Sequence, residues 1–231
     1  MFDLYIANKN YSSWSLRPWV LMKALNIPFK EYVMPFEGGT GVSYATFKRF
    51  SPSALVPCLV DKELAVWDSL AIIEYVAEQH SKVWPQDVAA RAWARSASAE
   101  MHSGFATLRN ECPMNCGARV ALDDLSSALK ADMARLDEQW QQGLSRFGGP
   151  FLAGKDFTAV DAFYAPVVFR VQTFGLPLSE ASQVYVKHML AQPAMQAWYQ
   201  DALEERWREP SHEADTLKQG TLTADYRKAC P

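Results

Sequence analysis

The sequence predicts a chain in two parts: a mixed α/β unit over residues 1–80, then an all-helical unit over residues 87–231, joined by a short connection at 81–86. Two observations carry this. Short strand-like runs alternate with helical ones only as far as residue 80. From Asp87 onward, apolar residues recur at steps of three and four, and nothing reads as a strand. At 231 residues the chain is long enough for each unit to bury its own core.

The elements follow in order. FDLYIA (2–7) alternates apolar and polar residues, as a strand does. SWSLRPWVLMKAL (13–25) reads as a helix capped by Ser12 or Ser13, with Pro18 near its opening turn and Asn26 and Pro28 ending it. FKEYVMP (29–35) is a second strand, parallel to the first if the helix between them is a right-handed crossover. The glycine-rich EGGTG (37–41) leads into a short helix at 44–50. PCLV and LAVW flank DKE as a hairpin. DSLAIIEYVAEQH (68–80) closes the unit as a helix, so the order is β-α-β-α-β-β-α.

Beyond the SKVWPQ connection, Trp93, Ala97, Met101, Phe105 and Leu108 form one stripe. A second runs from Leu125 through Trp140 to Phe147, where GGP breaks it. FTAVDAFYAPVVFRV (157–171) and residues 184–203 supply further helices. Thr158 and Asp161 have the spacing of a capping box, a structural device.

Composition excludes several classes. A net charge of −3 argues against a nucleic-acid partner, which needs clustered Lys and Arg. No apolar run approaches the roughly 20 residues that span a bilayer, and MFDLYIANKN lacks the basic start and apolar core of a secretion signal, so a cytoplasmic protein without a membrane partner is expected. Cys58, Cys112, Cys116 and Cys230 are too few for a disulfide scaffold, and CPMNC matches neither a C-x-x-C motif nor a zinc ribbon; no metal is expected.

The chemistry concentrates in NYSSWSLRPW (10–19), where serines open a helix whose free N–H groups and dipole favour an anion. Asp68 and Ser69 open a second helix in the same way. These segments, with SALVPCLV and FTAVDAFYAPV, resemble the cytosolic glutathione transferase family of serine type, and are nearest in pattern to its zeta class. Two positions depart from that class: Trp14 stands where it has cysteine, and Ala54-Leu55 where it has Lys-Gln.

The resemblance implies a thioredoxin-like N-terminal domain, a helical second domain and a homodimer, with glutathione as co-substrate. It assigns Ser12, with Ser13 as rival, to the glutathione sulfur, and Val56 before a cis Pro57 to the cysteinyl backbone. Asp68 and Ser69 would take the γ-glutamyl end, and Lys48 or Arg49 the glycine carboxylate. The electrophile pocket would draw on Tyr11, Trp14, Arg109 and Arg170, with His102, Phe105, Phe169 and Trp207 as further candidates.

A hydroxyl that donates to S⁻ offers little to S–H, so it lowers a thiol pKa that is ~8.5 in the free state. Arg17 would add positive potential, or else pair with the second domain. Three functions are compatible with these residues. They are a transferase, a glutathione-dependent cis–trans isomerase of the maleylacetoacetate type, and a non-catalytic interaction module of the same fold.

Overall fold

Leu4 and Ile6 are wholly buried and alternate with half-buried Asp3 and Tyr5 along β1 (Phe2–Ile6), because this strand runs inside its sheet. The computed structural model describes residues 1–36 and 40–228, with backbone alone at 40–42. Most of the expected EGGTG loop, and Cys230, lie outside the described residues. After β1 come α1 (Ser13–Ala24), β2 (Phe29–Val33), α2 (Thr40–Phe47), β3 (Cys58–Asp61), β4 (Leu64–Trp67) and α3 (Ser69–Gln79). The sheet order is β2-β1-β3-β4: β1 pairs in parallel with β2, Phe2 opposite Phe29, and antiparallel with β3. The β-α-β-α-β-β-α order matches the expectation. The short helix sits earlier than expected, since the chain tightens into a turn after Phe47, ahead of Pro52.

The second part comprises α4 (Val88–Ser103), α5 (Ala106–Glu111), β5 (Ala118–Leu122), α6 (Ser127–Phe147), α7 (Ala159–Phe174), α8 (Glu180–Leu190), α9 (Pro193–Glu204), α10 (Pro210–Thr216) and β6 (Gly220–Asp225). It is helical as expected, with two corrections. The Trp93 to Leu108 stripe is not one helix: Gly104 ends α4, and Phe105, at φ 55° in the left-handed region, starts α5. A two-stranded antiparallel ribbon, β5 with β6, also crosses the helical part. Its strands are about a hundred residues apart in sequence, so no local turn signal announces the pairing.

α7 is buried along nearly its whole length and packs on α1, α4 and β5, so a single core runs through both parts of the chain. Gly143 marks a tight crossing inside it. A Cβ there would lie 2.5 Å from the Leu152 carbonyl oxygen and 2.5 Å from the Trp93 ring. Gly143→Ala is expected to cost about 1–3 kcal/mol through overpacking. An unchanged urea midpoint would show that both the Trp93 ring and the Leu152 backbone give way freely.

Candidate active site

The chain leaves β1 through a tight turn, in which the Tyr11 and Ser12 N–H groups donate to the Asn8 carbonyl at 3.2 and 2.9 Å. The turn is gripped from the far end of the chain. Glu205, just past α9, accepts from the Lys9 N–H at 2.6 Å and the Asn10 N–H at 3.3 Å. Burial pushes the Glu205 carboxyl up against these donors. The turn delivers Ser12 to the N-cap of α1, where it is buried and its hydroxyl donates to the Ser15 Oγ at 2.7 Å. The Ser15 Oγ accepts from the Ala7 N–H at 3.4 Å, tying the helix start to the strand end.

Two adjoining cavities open around this point, of about 380 and 580 Å³, and both are lined by Trp14, Leu55 and Val56. The smaller holds Tyr11, Ser12, Ser13, Arg109, Arg170 and His212; the larger holds Ser53, Pro57, Trp67, Asp68 and Ser69. The Val56–Pro57 bond is cis. Asp68 caps α3 from a left-handed backbone, φ 74°, a conformation that costs a non-glycine residue about 1–3 kcal/mol. One carboxylate oxygen accepts from the Leu70 and Ala71 N–H groups at 2.8 and 3.3 Å, and the other lies 3.4 Å from the His102 Nε2 on α4.

Positive charge gathers around Trp14. The Arg17 guanidinium stacks 4.1 Å from its ring and that of Arg109 lies at 5.6 Å. Arg17 is buried, donates to the Ser69 Oγ at 3.4 Å, and its Nε has no partner among the described residues. Burial first, then Arg170 and Arg109, bring Arg17 down to about 9. Arg170, also buried, donates from Nε to the Cys112 carbonyl at 2.8 Å; burial and Arg109 bring it down to about 10. Neither Asp nor Glu is among the residues described as lining the smaller cavity. Such a wall favours an anion.

The structure thus gathers Ser12, Ser13, Tyr11, Trp14, Arg109 and Arg170 at one cavity, and Val56, Pro57, Asp68 and Ser69 at its neighbour. It does not bring Lys48 to either: that side chain is exposed and its ammonium donates to the Pro52 carbonyl at 2.6 Å. Phe169 is fully buried core and Trp207 is exposed. Sequence reasoning missed Phe36 and the whole of α10, whose His212 reaches the smaller cavity. Nothing local to residues 209–216 signals that they fold back against Tyr11 and Phe36.

Cys58, Cys112 and Cys116 are buried, and burial pushes the first two thiols up to about 11 and 12, so they are poor nucleophiles. Among the described residues, no group of side chains could hold a metal ion, and no helix is long and apolar enough to cross a membrane.

A four-stranded mixed sheet with a cis-proline beside a helix N-terminus, docked on a helical unit, defines the thioredoxin-like class of thiol-handling folds. Residues 11–79 match the family model of the glutathione S-transferase N-terminal domain, and residues 91–201 that of its C-terminal domain. The chain belongs to the glutathione S-transferase family.

Among its relatives, glutathione S-transferase theta-1 of Mus musculus is 26% identical over 198 residues, covering 79% of this chain and 75% of that protein. A probable maleylacetoacetate isomerase of Caenorhabditis elegans is 27% identical over 186 residues, covering 76% and 81%. A glutathione transferase homolog from Burkholderia, solved with bound glutathione, shares the fold with a TM-score of 0.66 at 21% identity, over 87% of this chain and 97% of that one.

Proposed function

We propose that the chain binds glutathione in the larger cavity, with Ser12 steadying its thiolate for attack on a small electrophile held in the smaller one. The observation that carries this reading is the position of Ser12. It stands at the N-cap position of α1, its hydroxyl not spent on a capping bond, on the wall of one cavity, while Trp14, Leu55 and Val56 are common to both. Val56 supplies backbone for the cysteinyl unit. Asp68 and Ser69, at the start of α3, take the amine and carboxylate of the γ-glutamyl end. Lys48 reaches the glycine carboxylate only by releasing the Pro52 carbonyl. The Ser12 hydroxyl turns from Ser15 to the sulfur when glutathione arrives. Residues 1–80 hold the tripeptide, and residues 87–231 bring Arg109, Arg170 and His212 to the acceptor beside Tyr11 and Trp14, in a cytoplasmic homodimer.

A hydrogen bond to a charged partner contributes about 1.5–3 kcal/mol, or roughly 10–100-fold in rate. Ser12→Ala is therefore expected to lower kcat by about that factor and to raise the pKa of bound glutathione, read from thiolate absorbance against pH. The KM for glutathione stays within about twofold, since the hydroxyl acts mainly on ionised sulfur. If Ser13→Ala has these effects and Ser12→Ala does not, the roles are exchanged.

A second reading, glutathione-dependent isomerisation of a maleyl-type diketo acid, is favoured by Arg109 and Arg170 on a cavity wall that holds no carboxylate among its described residues. Turnover of such an acid without consumption of glutathione distinguishes it from transfer.

A further inference from the structure

α10 carries a carboxylate and imidazole pair to the acceptor cavity that neither reading above employs. Glu209, only 4% exposed, lies 2.6 Å from the His212 Nδ1, and the same carboxylate oxygen accepts from the His212 N–H at 2.9 Å and the Ser211 hydroxyl at 2.5 Å. Burial alone would raise this carboxyl, but the donors outweigh it and bring it down to about 2, so Glu209 is ionised at neutral pH. The imidazole is held between two rings, Tyr11 at 5.0 Å and 26° and Phe36 at 4.9 Å and 22°. Tyr11 is itself fixed, donating at 2.5 Å to Glu213, which Arg227 grips at 2.9 Å.

His212, Tyr11 and Phe36 line the same cavity as Ser12. With Nδ1 committed to Glu209, the other ring nitrogen, Nε2, has no hydrogen-bond partner among the described residues, and the side chain keeps 35% exposure. An imidazole oriented by a buried carboxylate, with its second nitrogen free beside a reaction cavity, has the geometry of a general acid–base group.

We propose that His212, oriented by Glu209, is a catalytic acid for conjugate addition of glutathione to α,β-unsaturated carbonyl acceptors. The inference deepens the transferase reading and rests on it. In such an addition the thiolate sulfur bonds to the β-carbon, and the carbon–carbon π pair shifts to make an enolate. The proton on Nε2 of the charged imidazole passes to the α-carbon, leaving the ring neutral. The proton released when the thiol ionises recharges the ring, so only glutathione and acceptor are consumed. Arg109 and Arg170, on the same cavity wall, supply the positive charge that an enolate oxygen attracts. Displacement of halide from an activated aromatic ring differs: the sulfur–carbon bond forms, the carbon–chlorine pair leaves with chloride, and the acceptor takes up no proton. It serves as an internal reference.

The test compares kcat/KM for glutathione with 4-phenyl-3-buten-2-one against that with 1-chloro-2,4-dinitrobenzene, in the full chain and in two variants. His212→Gln is expected to lower the ratio of the two roughly 100-fold, the scale of general acid catalysis. The solvent deuterium isotope effect on enone addition disappears with it. Glu209→Gln, whose amide oxygen still accepts from the His212 N–H, lowers the ratio by a smaller factor. A contact that only caps α10 and packs against the rings would change both reactions alike, so an unchanged ratio, or an isotope effect that survives in His212→Gln, overturns the proposal. Ser12→Ala lowers both rates together if the serine reading holds, so the two readings fail separately.

Discussion

Asp161→Ala is expected to remove about 3–5 kcal/mol of stability, enough to unfold a marginal domain. Asp161 is fully buried near the start of α7, the helix on which α1 and α4 pack. Its carboxylate accepts from the Leu152 N–H at 3.0 Å, the Thr158 N–H at 3.0 Å and the Tyr185 hydroxyl at 3.2 Å. Alanine would leave all three donors buried and unpaired, each at about 1–3 kcal/mol, partly relieved by local shifts. The urea midpoint of the variant reads the loss directly.

The same carboxyl gives a pH signature of defined sign. Burial, outweighing the donors, lifts it from 3.8 to about 6, so folding favours its protonated form. Its contribution to stability is greatest below about pH 4 and is lost as pH rises through about 6. The stability of the wild-type chain relative to Asp161→Asn, which does not titrate, should therefore shrink between pH 4 and pH 7, by an amount of order 2–3 kcal/mol. A difference that grows over this interval would mean that the donors, not burial, dominate.

Glu205→Ala is expected to cost about 2–4 kcal/mol and to lower kcat/KM for glutathione transfer about tenfold or more. It frees the Lys9 and Asn10 N–H groups from their shared acceptor, and the turn they belong to places Ser12. The neighbouring contacts confine the damage. Lys9 remains paired with Glu31 at 2.9 Å and Asp201 at 2.6 Å, with its ammonium over the Trp19 and Trp198 rings. The chain should therefore stay folded while the turn loosens. Glu205→Gln, which still accepts one of the two backbone bonds, should recover part of both losses. Wild-type kinetics in Glu205→Ala would mean that the Asn8 turn holds without help. Paired denaturation and steady-state kinetics on the three proteins decide the point.

Much of the N-terminal fold was legible because its signals are local. Alternation in FDLYIA, the serines before SWSLRPW and the apolar face of SLAIIEY each need only a few neighbouring residues to be read, and β1, α1 and α3 lie where those patterns stand. The Asp68 cap was legible for the same reason. The break at Phe105 was not: a left-handed residue interrupts an apolar stripe that continues unbroken in sequence, and periodicity cannot register a change of direction.

By itself, then, the sequence determined the two-part division of local structure, the helix starts with their anion-seeking N–H groups, and the family pattern around Ser12 and Val56-Pro57. The resemblance named Arg109 and Arg170 for the pocket, but only the tertiary structure brings His212 to it. Arg109 on α5, Arg170 on α7 and His212 on α10 are distant along the chain and meet at one cavity wall. Lys48, close in sequence to Val56, is turned away to Pro52. Nearness along a chain is set by covalent geometry, whereas convergence at a site is set by burial of apolar faces summed over the whole core, a quantity no short window of residues contains.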